Sequence, residues 1–203
     1  GSRCVSAAVK EKAVNLVSNA FQYLPASQLP ARSLRKLYGY WDDLRGTRDG
    51  PARGEVDPVD IPREVLPDLL LTEVVSSDSG RRYRFRLVGS QVVEQAGRDP
   101  SRQFLDEALP IAFGYRDYII GLYDTIAEVR QPIYSRSSYI TFDTSRHPER
   151  GTHRLMLPLL DDNGRLTHVL AAQAFQVHHG VIQKPFLDPD EVVYGETLLV
   201  SPE

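Results

Sequence analysis

The stretch RRYRFRLVGSQVVEQAGRDPSRQFLDE, residues 81–107, decides the fold. Tyr83, Phe85 and Leu87 alternate with Arg82, Arg84 and Arg86, which is the period of a half-buried strand. Gly89 ends that strand. Val92, Val93 and Ala96 make one short apolar helix face, and Gly97 stops it as a glycine just past a helix end does. Asp99-Pro100-Ser101 is turn chemistry, and Phe104 and Leu105 lead the chain back to the core. The order is strand, short helix, glycine turn, polar loop and a helix that restarts.

Upstream, the turn at residues 76–80 joins this strand to another at 69–75, so the two read as a hairpin. Residues 47–71 carry prolines at 51, 58, 62 and 67 with Val56, Ile61, Leu66 and Leu69 spaced regularly, the pattern of an ordered crossover. Asp57 and Asp60 can each bond backbone N–H groups two residues on. Residues 33–45 read as a helix capped by Ser33 and stopped by Gly46, with Leu34, Leu37, Tyr38, Trp41 and Leu44 buried. Residues 5–24 read as an amphipathic helix with a stripe of Val5, Val9, Ala13, Leu16, Val17, Ala20, Phe21 and Leu24. A lone helix of that length is marginal in water, so the stripe packs on its own domain or on a second copy.

Downstream, residues 110–130 read as the longest core helix, begun by Pro110 and blocked by Pro132. Its stripe is Ile111, Tyr115, Tyr118, Ile119, Leu122, Ile126 and Val129. Three strands follow at 133–142, 153–160 and 166–177, the last two joined by the turn Asp161-Asp162-Asn163-Gly164. The tail after Gly180 reads as an added strand or helix, or an arm reaching a partner. The resulting organisation is an N-terminal helical extension at 1–30, a domain at 31–179 and a C-terminal extension at 180–203. Hairpin, helices and three further strands make an α+β layer: one antiparallel sheet with helices packed on one face and a gap between them where a ligand can sit.

The 203 residues are 41% hydrophobic and 25% charged, ordinary globular values. A net charge of −3 argues against nonspecific nucleic-acid binding, which depends on a positive field. Cys4 is the one cysteine, so no intrachain disulfide forms, in keeping with a reducing compartment. No apolar run approaches the roughly 18 residues of a membrane span. The expectation is a cytoplasmic protein with neither a nucleic-acid nor a membrane partner.

The strand order, the helix positions and the segment RLMLPLLDDNGRLTHVLA, residues 154–171, resemble a PAS domain. More narrowly, YWDDLRG at 40–46, PARGEVDPVDIP at 51–62 and Leu66-Pro67 are similar to a family of compact bacterial stand-alone single-PAS proteins. The resemblance runs over about residues 34–176. It implies a five-stranded antiparallel sheet whose long helix walls a ligand cavity. It further implies a non-catalytic sensor or adaptor in signal transduction, which binds a small ligand, a signalling protein partner, or both. N-terminal helices of such domains commonly make homodimers. The rival readings are a pure interaction module with a filled core, and an enzyme on a cone-shaped α+β fold.

Within that frame the candidate ligand-binding residues are Tyr83, Phe85, Tyr115, Tyr118, Leu122, Tyr139 and Gln173. They offer an apolar wall with a few polar groups, which suits an unidentified small organic ligand. Leu87 is expected on the same sheet face as Tyr83 and Phe85. Haem is not expected, because residues 110–130 hold no histidine to serve as an axial ligand. Covalent flavin chemistry is not expected either, because the loop GRDPSRQFL lacks a cysteine. No metal site is expected: His178 and His179 point to opposite faces if on a strand, and His147 and His153 read as surface residues. No catalytic residue is assigned; an enzyme would need His168, with a carboxylate partner that the sequence does not supply. The arginines at 81, 82, 84 and 86, with Arg45, Arg48 and Arg53 of the crossover, read as a solvated face balanced by Asp57, Asp60 and Glu73, or as a site for an anionic ligand or an acidic partner.

Overall fold

A computed structural model describes residues 22–140, 149–176 and 191–203. Most of the expected 5–24 helix, Cys4, His147, His178, His179 and the side chain of Tyr139 lie outside the described residues. The elements in chain order are β1 (Tyr23–Pro25), α1 (Arg32–Arg45), β2 (Leu69–Ser77), β3 (Gly80–Val88), α2 (Ser90–Ala96), α3 (Leu105–Ala108), α4 (Tyr115–Val129), β4 (Ile133–Ile140), β5 (Glu149–Leu160), β6 (Leu166–Gln176) and β7 (Glu191–Ser201).

Among the described residues these strands form one sheet of seven, in the order β1-β7-β4-β5-β6-β2-β3. All neighbours are antiparallel except β1 and β7, which run parallel. The expected five strands are the β3-β2-β6-β5-β4 portion. The tail contributes β7, which pairs with β4 from Leu199 opposite Ile133 to Glu191 opposite Ile140. Residues 23–25, expected to end a helix, are instead strand: Pro25 holds the chain extended and Leu24 pairs with Val200.

Helices cover both faces of the sheet, not one. On the first face Leu70, Tyr83, Phe85, Ile133, Met156, Val169 and Ala171 meet α2, α3 and α4. On the second, Leu69, Leu71, Leu155, Leu157, Leu159, Leu170 and Ala172 meet α1 through Leu34, Leu37 and Trp41. Val56, Ile61 and Val65 of the crossover complete that second cover. The reason is in β5: LMLPLL, residues 155–160, is a continuous apolar run, and a strand apolar on both sides must be buried on both. Trp41 donates its indole N–H to the carbonyl of Pro158 at 2.9 Å, which ties α1 to the middle of that strand.

A bulge corrects the hairpin reading. Leu71 faces Leu87 and Thr72 faces Phe85, so Arg86 is the extra residue on β3. One inserted residue exchanges the faces of everything beyond it. Leu87 therefore packs with the α1 side while Tyr83 and Phe85 stay on the α4 side. The long helix also begins later than Pro110: Phe113 at φ 57° and Gly114 at φ 70° are both left-handed, which no right-handed helix accommodates. Ile111, expected in the buried stripe, is 72% exposed as a result. The 32–45 helix likewise starts at Arg32 from an extended Ala31, without a side-chain cap from Ser33.

The strand-to-helix step after β3 follows the sequence closely. Gly97 is left-handed at φ 78° and closes α2 by donating to the carbonyls of Val93 and Glu94. Asp99 accepts from the Ser101 N–H at 2.9 Å. Gly89 is required by close approach: a Cβ there would sit 2.3 Å from the Pro67 carbonyl oxygen and 2.6 Å from that of Leu66. Gly89→Ala should therefore destabilise the protein by about 2–3 kcal/mol or more, through forced backbone displacement. Urea unfolding checks this; an unchanged midpoint would show that the contact relaxes freely.

Candidate functional site

Between the first sheet face and α4 lies a cavity of about 40 Å³, room for on the order of two or three waters. Its floor is Leu70 of β2, Phe85 of β3, Ala171 and Gln173 of β6, and Arg154 of β5. Val92 and Ala96 of α2, then Pro100, close one side. Ala108 and Leu109 of α3 and its end, with Tyr115, Ile119 and Tyr123 of α4, form the roof. The gap exists because Ala96, Ala108 and Ala171 stand where longer side chains would meet.

Arg154 and Gln173 bring a guanidinium and an amide into a wall whose other members are apolar or, at Tyr115 and Tyr123, phenolic. Arg154 is 3% exposed and Gln173 is 7% exposed. They are direct neighbours across β5 and β6, and Ser135 of β4 flanks Arg154 on the other side. Arg154 Nη1 donates to Ser135 Oγ at 3.1 Å. Its Nε and the Gln173 Oε1 have no protein partner. Tyr123 and Thr72 hydroxyls bond at 2.9 Å. Burial raises the Tyr123 pKa, a shift opposed by the Thr72 bond and by the Arg154 charge. Gln95 of α2 is also wholly buried, with both amide atoms unpartnered.

Of the residues anticipated from sequence, Phe85, Tyr115 and Gln173 line the cavity. Tyr83 does not: it is buried beside it, its ring 5.1 Å from that of Tyr123 and its hydroxyl donating to Asp124 Oδ1 at 2.5 Å. Burial, reinforced by that carboxylate, pushes the Tyr83 hydroxyl far above its ordinary pKa. Leu122 is packed in the core without reaching the cavity. Tyr118 is displaced furthest, its ring 4.3 Å from Tyr194 and its hydroxyl facing the Arg136 carbonyl at 3.5 Å. The helical turn explains the last two. Tyr115, Ile119 and Tyr123 follow one row at i, i+4 and i+8, whereas Tyr118 and Leu122 lie three residues after a lining residue, about 60° round the helix. Tyr139 is in β4 opposite Arg150 and Val192. Sequence reasoning missed Arg154. The signal was a lone arginine two residues before Met156, hence on the same strand face as that buried side chain.

His153 is buried, not a surface residue: it is 7% exposed, and its Nδ1 is 2.7 Å from the Tyr134 hydroxyl. The two rings stack at 15°. His168 lies on β6 next to Leu170 in the alternation that faces α1 and is thus turned away from the cavity; its Nδ1 meets Thr167 Oγ1 at 3.1 Å. Three of the four β3 arginines, Arg82, Arg84 and Arg86, are paired with acids. Arg82 reaches Asp106 at 2.8 Å and Glu107 at 2.7 Å, and Arg84 reaches Glu73 at 2.8 Å. Glu73 thus serves as expected, but Asp106 and Glu107 replace Asp57 and Asp60. The Phe104 ring lies 3.7 Å beneath the Arg82 guanidinium. Among the described residues, no helix is long and apolar enough to cross a membrane.

The architecture is a largely antiparallel mixed sheet with a small cavity on one face beneath α3 and α4. Residues 29–171, about seven-tenths of the chain, match the family model described as PAS domain, and the chain belongs to that family. PAS domains are sensory and interaction modules. No curated protein matches the sequence.

His153 supplies a pH test of the site's surroundings. Burial, and next the Arg136 charge, lower its pKa below the ordinary 6.5. The unfolded chain then takes up the proton first. Stability from the neutral imidazole is present above about pH 6.5 and is lost as pH falls through the folded value. His168, shifted the same way by burial, contributes to both proteins in a comparison with His153→Gln. Melting temperatures followed from pH 7.5 down to 5.5 (chosen to bracket ~6.5) should fall less steeply in the variant. Parallel slopes would place the titration elsewhere.

Proposed function

We propose that this domain is a non-catalytic sensor in which a small organic ligand occupies the cavity and biases the covering helix. The observation that carries the reading is the cavity itself, apolar on most sides and polar at Arg154 and Gln173. That is the composition of a small-molecule site: apolar walls for affinity and a few fixed polar groups for orientation. The roof is suited to respond. Residues 110–114 join α3 to α4 through two left-handed residues, and Leu109 and Tyr115 on either side both touch the cavity.

The read-out in this proposal is self-association or a signalling partner through the segment before β1. The stripe from Val5 to Phe21 pairs two copies, and β1 connects it to the sheet through Tyr23, Leu24 and Pro25 beside β7. A chain lacking residues 1–21 should run as a monomer where the full chain runs as a dimer by light scattering. A dimer that survives the deletion moves the interface elsewhere.

Native mass spectrometry of freshly purified protein tests the cavity reading. The expected result is a discrete added mass that disappears on denaturation. Ala171→Val, which extends a side chain of the cavity wall in a strand position, should lose that mass. Its stability should stay within about 1.5 kcal/mol of the parent. A bare mass for both proteins would instead favour a filled interaction module.

A further inference from the structure

We propose that the ligand of this cavity is a small carboxylate, with the Arg154 guanidinium as its counter-charge and Gln173 as the group that reads a hydroxyl beside it; this rests on the reading that the cavity is a ligand site. Arg154 is the reason. A guanidinium stays charged at any ordinary pH. Buried charges are stable only when paired and hydrogen-bonded. Arg154 is 3% exposed, yet no described carboxylate lies within ion-pair distance of it. Its one described side-chain bond is to a neutral hydroxyl, Ser135 Oγ, through Nη1. Nε, a donor on the other edge of the guanidinium, is buried without a partner. Carboxylates seat side-on against such an edge with two parallel hydrogen bonds.

The second observation is Gln173. It is 7% exposed, adjacent to Arg154 across the strand pair, and lines the same cavity. Its Oε1 is an unpartnered acceptor. An acceptor beside an unpartnered cationic donor fits a molecule with a carboxylate at one end and a hydroxyl next to it. The rest of the wall is largely apolar, with Leu70, Phe85, Ile119 and Ala171 beside the rings of Tyr115 and Tyr123. A cavity of about 40 Å³ limits the guest to a short acid, roughly two or three carbons. Arg82, Arg84 and Arg86 of β3, by contrast, already hold Glu73, Asp106 and Glu107, and no β3 arginine lines the cavity.

The test uses full-length protein in carboxylate-free buffer near pH 7, titrated with glycolate, its uncharged amide glycolamide, and sulfate, followed by calorimetry and melting temperature. Saturable binding of glycolate, with glycolamide at least ten-fold weaker, is the expected result. Arg154→Met should remove the glycolate response, and Gln173→Leu should narrow the preference for glycolate over acetate. Glycolamide binding as well as glycolate would overturn the carboxylate assignment while leaving the cavity reading intact. Sulfate binding as well as glycolate would reduce the site to a general anion pocket and overturn it too. No response to any probe, together with a bare native mass, would sink both readings. The comparison of the acid with its amide needs no variant, so it decides the matter even if Arg154→Met does not fold.

Discussion

The structure depends on one constraint: β5 and β6 pair along their length and are apolar on both sides. Leu155, Leu157 and Leu159 on one face and Met156 on the other are fully buried. Each such side chain is worth roughly 1.5–3 kcal/mol if it leaves water. Both faces must therefore be covered, and the chain does this with two differently built layers. The α1 side is closed by bulky groups, Trp41 above all, with its N–H fixed on the Pro158 carbonyl. Pro158 has no N–H to give the ladder, and its carbonyl is taken by the covering helix.

The other face is covered by two short helices, α2 and α3, and by the late-starting α4. Three alanines meet there in place of large side chains, and the cavity is what they leave. Interiors pack close to crystal density, so even a 40 Å³ gap is a feature rather than slack. A buried guanidinium on its floor is harder still to reconcile with a purely structural role. One face of the sheet is thus filled and the other holds a gap.

The sheet's edges are managed as carefully as its faces. At β3, residues 102–104 run alongside: Phe85 donates to the Gln103 carbonyl at 3.0 Å and accepts from Arg102 at 2.8 Å. Arg82 and Arg84 then lie over the Phe104 ring and bind acids on either side. Exposed ion pairs of this kind add little energy each, but they cover an edge that would otherwise template another strand. At the opposite end β7 extends the sheet and β1 covers part of its free side.

The sequence by itself determined the hairpin, the order of elements from residue 32 to 176, the glycine turns and the family. These rest on local rules: strand period, glycine at left-handed or crowded positions, and Asx turns such as that of Asp57, which accepts from Val59 at 2.9 Å. Phe85, Tyr115 and Gln173 were legible as cavity residues because strand alternation and helical stripes place them without further information. Only the tertiary structure decided the rest. The Arg86 bulge, which sends Leu87 to the other face, depends on which Leu of β2 it must match across the ladder. The later start of α4 set which of its rows meets the cavity, so Tyr118 and Leu122 fell outside it. Burial of His153 and Arg154 required β4 on one side and β6 on the other, both from elsewhere in the chain. Local pattern fixes what a residue's own segment does; whether a charge is solvated or enclosed is settled by segments that only folding brings alongside it.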